Sequence, residues 1–539
     1  MRRTLLAALL AAVAVLLAAC VAPQYDNRAQ VDPADVPGDP APPGAVRHGG
    51  ELVMGLSAEP DKLDPTTSSS LYTRYVMSSI CEKLFDIDAA GNLVPQLATA
   101  LPTVTDGGLT VSFPVRSTGV RFADGTPFDA AAVVTSLQRH LTLPGSQRKS
   151  ELGSLRTITA DGPDRVTLRF ARPFAPITAA LADRAGMIMS PAALAAEGTN
   201  FSQRPVCVGP FRFVDRVAQT AITVERDPLY YDAAAVPLDR ITYRIMSDAG
   251  VRAANLRSGD IQVADSISPQ DVDALARESD VRVTKTLSLG YQAVTFNSAP
   301  KRPEDDTPLA HDPRIRLAFS KAVDRARLAD VVFNGWYTPA CSPISPNTDF
   351  GAAADVGCPA YDPAGARALL AQAGVPVPFP ITMQTSNTAD SLRLAQALQA
   401  AVADAGFDLR IEPVEYSTLL DVQTDGTFSA LQLGWSGRID PDGNTTRFLT
   451  TGAGANYGDY ADPEVDRLLA DAAATFDTAA RTRLYAQATE QVQRDNPLVY
   501  LYRQRNLTAA RSEVLGVQTF ADGVVRLSRA GFARTGGTP

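Results

Sequence analysis

The sequence predicts an α/β protein with more than one lobe. Three observations lead there. The chain has 539 residues, several times the ~100–200 expected for one domain. Its second half alternates strand-like apolar runs with helices carrying one apolar face. Three of those helices are announced by Asp-Pro, a capping side chain followed by proline in the first turn, at Asp312-Pro313, Asp362-Pro363 and Asp462-Pro463. A hydrophobic fraction of 45% and a charged fraction of 20% suit a chain with a large core.

The elements follow in order. Gly49 to Gly55 opens the folded body with a strand pattern, and Leu109–Val115 and Val166–Phe170 continue it. Between them Asp124-Gly125 marks a turn, because this pair accepts positive φ. Asp129 then caps a helix with Val133, Val134 and Leu137 on one face. Phe211–Val214, Ile222–Glu225 and Ile241–Ile245 read as strands. After Asp312, the residues Ile315, Phe319, Ala322 and Val323 form an apolar face. The helix after Asp362 runs through Leu369 and Leu370 and stops at Gly374, since glycine takes the left-handed position that ends helices. Ser391 to Ala405 is an amphipathic helix, Phe407–Val414 a strand, and the helix after Asp462 buries Val465, Leu468 and Leu469.

The N-terminus is an address. Arg2 and Arg3 precede an apolar run from Thr4 to Leu17, and Leu17-Ala18-Ala19-Cys20 follows. This is a secretory signal that resembles a bacterial lipobox, with Cys20 as the lipidated residue. Residues 21–48 hold six prolines and few apolar side chains, a composition that cannot bury enough surface to fold and suits a tether. After residue 20 no apolar run is long enough to span a bilayer.

Charge and cysteine narrow the function. A net charge of −9 without a basic patch argues against nucleic acid. Lysine is scarce, so the positive charge is almost all arginine. Export places Cys81, Cys207, Cys341 and Cys358 in an oxidising compartment, where an even number suggests two disulfides. Cys341 and Cys358 flank a short loop with Pro343, Pro346 and Gly351 and are expected to pair, which leaves Cys81 for Cys207; four cysteines allow three connectivities. His48, His140 and His311 are far apart and no CxxC occurs, so neither a zinc-type metal site nor a cofactor is expected. No catalytic constellation stands out. Ser146-Gln147-Arg148-Lys149 matches S-x-x-K only formally, in a charged stretch, and no histidine follows Ser436 as a hydrolase order requires.

Several segments in fixed order resemble the solute-binding proteins of the peptide/nickel ABC-transporter family. They are Glu59 to Pro65, Cys81 to Phe85, Gly91 to Ala98, Phe113 to Arg116, Gly119 to Phe128, Val208 to Phe211, Glu225 to Tyr231, Phe296-Asn297, Asp312 to Ala318, Tyr361 to Gly374, Gly434-Trp435 and Asp440-Pro441-Asp442. Each is weak alone; together they cover residues 49–539. The resemblance implies a two-lobed, hinged, periplasmic-binding-protein-like fold (type II-like) with a subdomain inserted in the first lobe. It places lobe I at 49–80, 207–287 and 505–539, the insertion at 81–206 and lobe II at 288–504. It also implies a peptide or peptide-like solute, delivery to an ABC permease with its ATPase subunits, and a monomer held at the outer face of the cell membrane, or in the periplasm, by its lipid alone.

The same resemblance implies site residues. In peptide-binding members the Gly-Trp pair and the next residue bond to the ligand backbone like an added strand, which points to Gly434, Trp435 and Ser436. Three residues after the tryptophan those members usually carry an aspartate that takes the ligand's α-ammonium. Here that position is Arg438, whose guanidinium repels an ammonium and favours a carboxylate or phosphate. Either Asp440 or Asp442 takes over that role, or the ligand is not an ordinary peptide; a loop salt bridge from Arg438 to Asp440 is the structural alternative. Ser70 and Tyr72 are expected to line the cleft from lobe I, Asn297 to lie near the hinge and Asn456 to line lobe II, with capping as the alternative for each. Trp336 is either a cleft aromatic or loop packing. Oligosaccharide, opine-like or metal-chelate cargo, and a non-transport envelope receptor or chaperone, remain the competing functions.

Overall fold

The computed structural model describes residues 35–534. The signal segment, Cys20 and residues 21–34 of the tether lie outside the described residues.

Two sheets dominate. The first has seven strands in the order Val281–Leu287, Arg505–Arg511, Val263–Ala264, Glu51–Leu56, Arg240–Ile245, Ala221–Arg226 and Phe211–Val217. Glu51–Leu56 runs parallel to both of its neighbours, while the outer pairings are antiparallel. The second has six strands in the order Thr338–Pro339, Leu498–Arg503, Tyr291–Phe296, Ala430–Trp435, Phe379–Ser386 and Phe407–Val414. The chain crosses from one sheet to the other at 288–290 and back at Gln504. A smaller four-stranded antiparallel sheet is built from Thr103–Thr105, Thr110–Pro114, Arg165–Phe170 and Leu155–Ala160. Its core is continuous with that of the first sheet, since Leu52, Met54, Phe85, Phe113 and Val166 belong to one buried cluster.

The caps form as the side-chain chemistry requires. Asp129 accepts from the backbone N–H of Ala132, Asp312 from Arg314, Asp362 from Gly365, and Asp462 from Glu464 and Val465. Behind them Val133, Leu137, Ile315, Phe319, Val465 and Leu469 are fully buried. Val323 is the C-cap of its helix rather than part of the body. The helix expected from Ser391 begins two residues earlier and spans Ala389–Ala403. Cys81 bonds Cys207 and Cys341 bonds Cys358, both as expected.

The tether expected over 21–48 is too long at its C-terminal end. Val36 exchanges backbone hydrogen bonds with Lys285 at 2.6 and 2.8 Å, and Arg47 donates to the carbonyl of Phe532. Asp35 accepts from the N–H of Leu287 and pairs with Arg505 at 2.6 Å, one residue beyond Gln504. Composition hid this, because backbone and charge contacts rather than apolar burial hold the segment in place.

Candidate functional site

The two sheets face each other across a cleft of two adjoining chambers, one of about 180 Å³ and one of about 170 Å³. Leu71, Tyr72, Ser266, Gln292 and Gln504 line both. Helix Leu71–Ile80 supplies one wall. Ser70 is its N-cap, with its hydroxyl accepting from the N–H of Tyr72. Ser70 is therefore a buried structural cap, whereas Tyr72 faces the cleft. Its ring meets Tyr416 of the second lobe edge-on at 5.4 Å between centroids. Ser57 Oγ lies 3.0 Å from the Tyr72 hydroxyl and 3.0 Å from Asp265. Burial pushes the Asp265 carboxyl up to about 6 against the pull of Arg252, and burial and Asp265 together push Tyr72 up to about 12.

Strand Ala430–Trp435 forms the opposite wall. It pairs with Tyr291–Phe296 along its whole length, but with Phe379–Ser386 only as far as Thr385 opposite Gln432. Leu433, Gly434, Trp435 and Ser436 then line the 170 Å³ chamber. Gly434 is required by packing: a Cβ there would lie 2.3 Å from Gln292 Nε2. At the crossing, a Cβ on Gly290 would lie 1.7 Å from the carbonyl oxygen of Trp435, so the first crossing and the end of this strand touch backbone to backbone.

The loop after Trp435 is a lattice of buried charge. The Trp435 indole N–H donates to Asn444 Oδ1 at 2.9 Å, and the guanidiniums of Arg438 and Arg447 sit over its ring at 4.2 and 4.6 Å. Arg438 pairs not with Asp440 but with Asp183 of the inserted segment, at 3.3 Å. Asp440 is held by Arg481, and both of its oxygens accept from that guanidinium. Arg447 crosses to Glu151, which also pairs with Arg148 at 2.7 Å. Burial raises the Asp183 carboxyl, but Arg438, Arg74 and Arg184 outweigh it and hold it well below the usual carboxylate range. Burial, with Asp440 beside it, pushes Asp442 up to about 7.

The placements separate the expected residues. Gly434, Trp435, Ser436 and Tyr72 line the cleft together. Arg438, Asp440 and Asp442 instead border a small side cavity of about 20 Å³ with Pro176 and Ala179, so the ammonium role expected of Asp440 is blocked by Arg481. Asn297 does not line the cleft: its amide donates to the carbonyls of Gly426 and Phe428. Asn456 borders a cavity beside Trp435, but its side chain is spent on Thr450 and Tyr460. Trp336 packs against the first lobe, with Lys285 5.1 Å from its ring. The sequence reading missed Arg447, Glu151, Asp183 and Asn444. Asn444 carried a signal in the Asp442-Gly443-Asn444 run; Glu151, 296 positions from its partner Arg447, carried none.

A pair of sheets joined by two crossings around a polar cleft defines the class of hinged binding proteins. Residues 92–457 match the sequence model of the bacterial extracellular solute-binding proteins, family 5 Middle, and the chain belongs to that family. It is 28% identical over 484 residues to the glutathione-binding protein GsiB of Pectobacterium atrosepticum, covering 88% of this chain and 92% of that one. Its structure is similar to that of the binding protein AgaA of A. tumefaciens R10 in complex with agropinic acid, with a TM-score of 0.79, 25% identity and coverage of 90% and 99%. It shares its fold with AppA of Bacillus subtilis, an oligopeptide-binding protein in complex with a nonapeptide, at a TM-score of 0.81, 22% identity and coverage of 91% and 100%. Among the described residues no helix is long and apolar enough to cross a membrane.

Proposed function

We propose that the chain is an exported, lipid-anchored binding protein that captures peptides or a peptide-like solute between its lobes and delivers it to an ABC importer. The observation that carries this reading is the free edge of strand Ala430–Trp435 beyond Gln432, inside the 170 Å³ chamber. An extended backbone can complete such an edge by strand addition. The relatives named for glutathione and for a nonapeptide complex support a ligand with amide backbone. Cys20 supplies the anchor, residues 21–34 the tether, and Gly434, Trp435, Ser436 and Tyr72 the contact surface. The lobes close about 288–290 and Gln504.

The test is thermal unfolding of the chain truncated before Asp35, which keeps every described residue. The panel comprises glutathione, peptides of two to five residues, short oligosaccharides and a nickel–histidine complex. A ligand at ~100 times its Kd adds about 2.7 kcal/mol and a measurable rise in Tm. Peptides or glutathione are expected to give that rise. A rise with sugars or the metal complex alone contradicts the reading.

A further inference from the structure

The Trp435 end of the cleft buries more positive than negative charge. Arg74, Arg148, Arg184, Arg438 and Arg447 are each less than one tenth exposed. Two carboxylates, Asp183 and Glu151, serve them. Asp522 also reaches Arg74, but it is shared with Arg526. Asp440 belongs to Arg481, and Asp61, which accepts from Ser69 and Thr73, is a further carboxylate near this end but does not line the chamber. Among the described residues, Arg438 Nε, Arg148 Nε and Arg447 Nε are buried without a hydrogen-bond partner. Among the described residues, Arg447, 3% exposed, is the single charged side chain lining the 170 Å³ chamber, and no carboxylate lines it. A buried guanidinium left short of acceptors is costly, and an anion beside it offsets that cost.

We infer that this chamber is an anion-receiving subsite, in which the bound solute sets a carboxylate or similar oxyanion against Arg447, beside the hydroxyls of Ser436 and Tyr457. The inference rests on the peptide-like reading above and adds a polarity to it: the acidic end of the solute lies by Trp435 and its amine lies elsewhere. A free ammonium in this chamber meets the Arg447 guanidinium with no carboxylate on the lining to balance it. Asp440 and Asp442, the two acids nearest in sequence, line the separate side cavity with Arg438.

The test compares trialanine, N-acetyl-trialanine and trialanine amide by calorimetric titration of the unmodified protein, with glutarate and inorganic phosphate as separate probes in thermal unfolding. Amidation is expected to weaken binding about tenfold or more and N-acetylation less than about threefold, since one lost charge–charge contact is worth at least a factor of ten. Arg447→Met is expected to erase that discrimination and Arg447→Lys to keep part of it. Should Arg447→Met fail to fold, the acid-against-amide comparison on the unmodified protein still decides. Loss of binding on acetylation with amidation tolerated overturns the subsite and leaves the peptide reading intact. If no peptide binds while glutarate or phosphate raises the Tm of the unmodified protein, the peptide reading fails and the subsite stands. If neither the peptides nor either anion shifts the Tm, the subsite is overturned too.

Discussion

Asp440 and Arg481 are joined end-on, with Nη2 donating to Oδ1 at 2.8 Å and Nη1 to Oδ2 at 3.0 Å. Both side chains are 3% exposed. The pair fastens the loop after Trp435 to helix Thr478–Asp495 and so fixes where Trp435 sits.

Breaking that pair is expected to cost stability rather than ligand charge preference. Asp440→Asn leaves a buried guanidinium short of its counter-ion, a loss of about 3–5 kcal/mol. Urea unfolding checks it. An unchanged midpoint together with an altered ligand preference would contradict this role.

Asp442 gives a pH dependence of defined sign. Its folded carboxyl, pushed up to about 7, lies above the ordinary value of 3.8. Its contribution is therefore complete at low pH and is lost as pH rises through about 7. Asp442→Asn is expected to match the unmodified protein near pH 4 and to exceed it by about 2–4 kcal/mol near pH 8. Asp265, pushed up to about 6, contributes a slope of the same sign, so the substitution reduces the pH dependence without abolishing it. Denaturant melts at the two pH values measure the difference.

The disulfides differ in the loops they close. Cys341–Cys358 closes 17 residues and Cys81–Cys207 closes 126. Removing the first is expected to cost about 3 kcal/mol and the second about 4–5 kcal/mol, since longer loops free more chain entropy in the unfolded state. Paired serine variants, read by urea unfolding, check the order. Non-reduced peptide mapping checks the connectivity.

The segment from Asp35 to His48 is expected to matter to the fold. A chain beginning at Gly49 leaves the Lys285 backbone without Val36 and Arg505 without Asp35, next to both crossings. Its Tm is expected to fall relative to a chain beginning at Asp35, by about 1 °C for each kcal/mol lost in a chain of this size. Equal Tm values would show that the segment is idle.

The sequence made the local features legible. Asp-Pro caps, the glycine that stops the helix after Asp362, and the apolar faces at Ile315 and Val465 depend on neighbours within a few residues, so their chemistry is written locally. The resemblance supplied the order of the lobes and pointed to Gly434 and Trp435. Side-chain pairing was not legible. Arg438 and Asp440 are two positions apart and point to different partners, because Asp183 and Arg481 approach from elements far along the chain. Ser70 and Asn297 were polar residues in suggestive places that turned out to bond their own backbone surroundings. Nothing near Glu151 in the sequence shows that it will meet Arg447.

The most direct measurement uses the chain's two tryptophans. Trp336→Phe leaves Trp435 as the single indole reporter, and peptides or glutathione are titrated while its emission is followed. A saturable change, with a Kd equal to that from calorimetry, is the expected result. Gly434→Val, which drives a side chain against Gln292 and the carbonyl of Tyr291, is expected to remove both signals, and far-UV circular dichroism with a Tm on the same variant separates lost binding from lost fold. Calorimetric binding that leaves Trp435 emission unchanged and survives Gly434→Val would contradict the central claim that the solute lies along this strand.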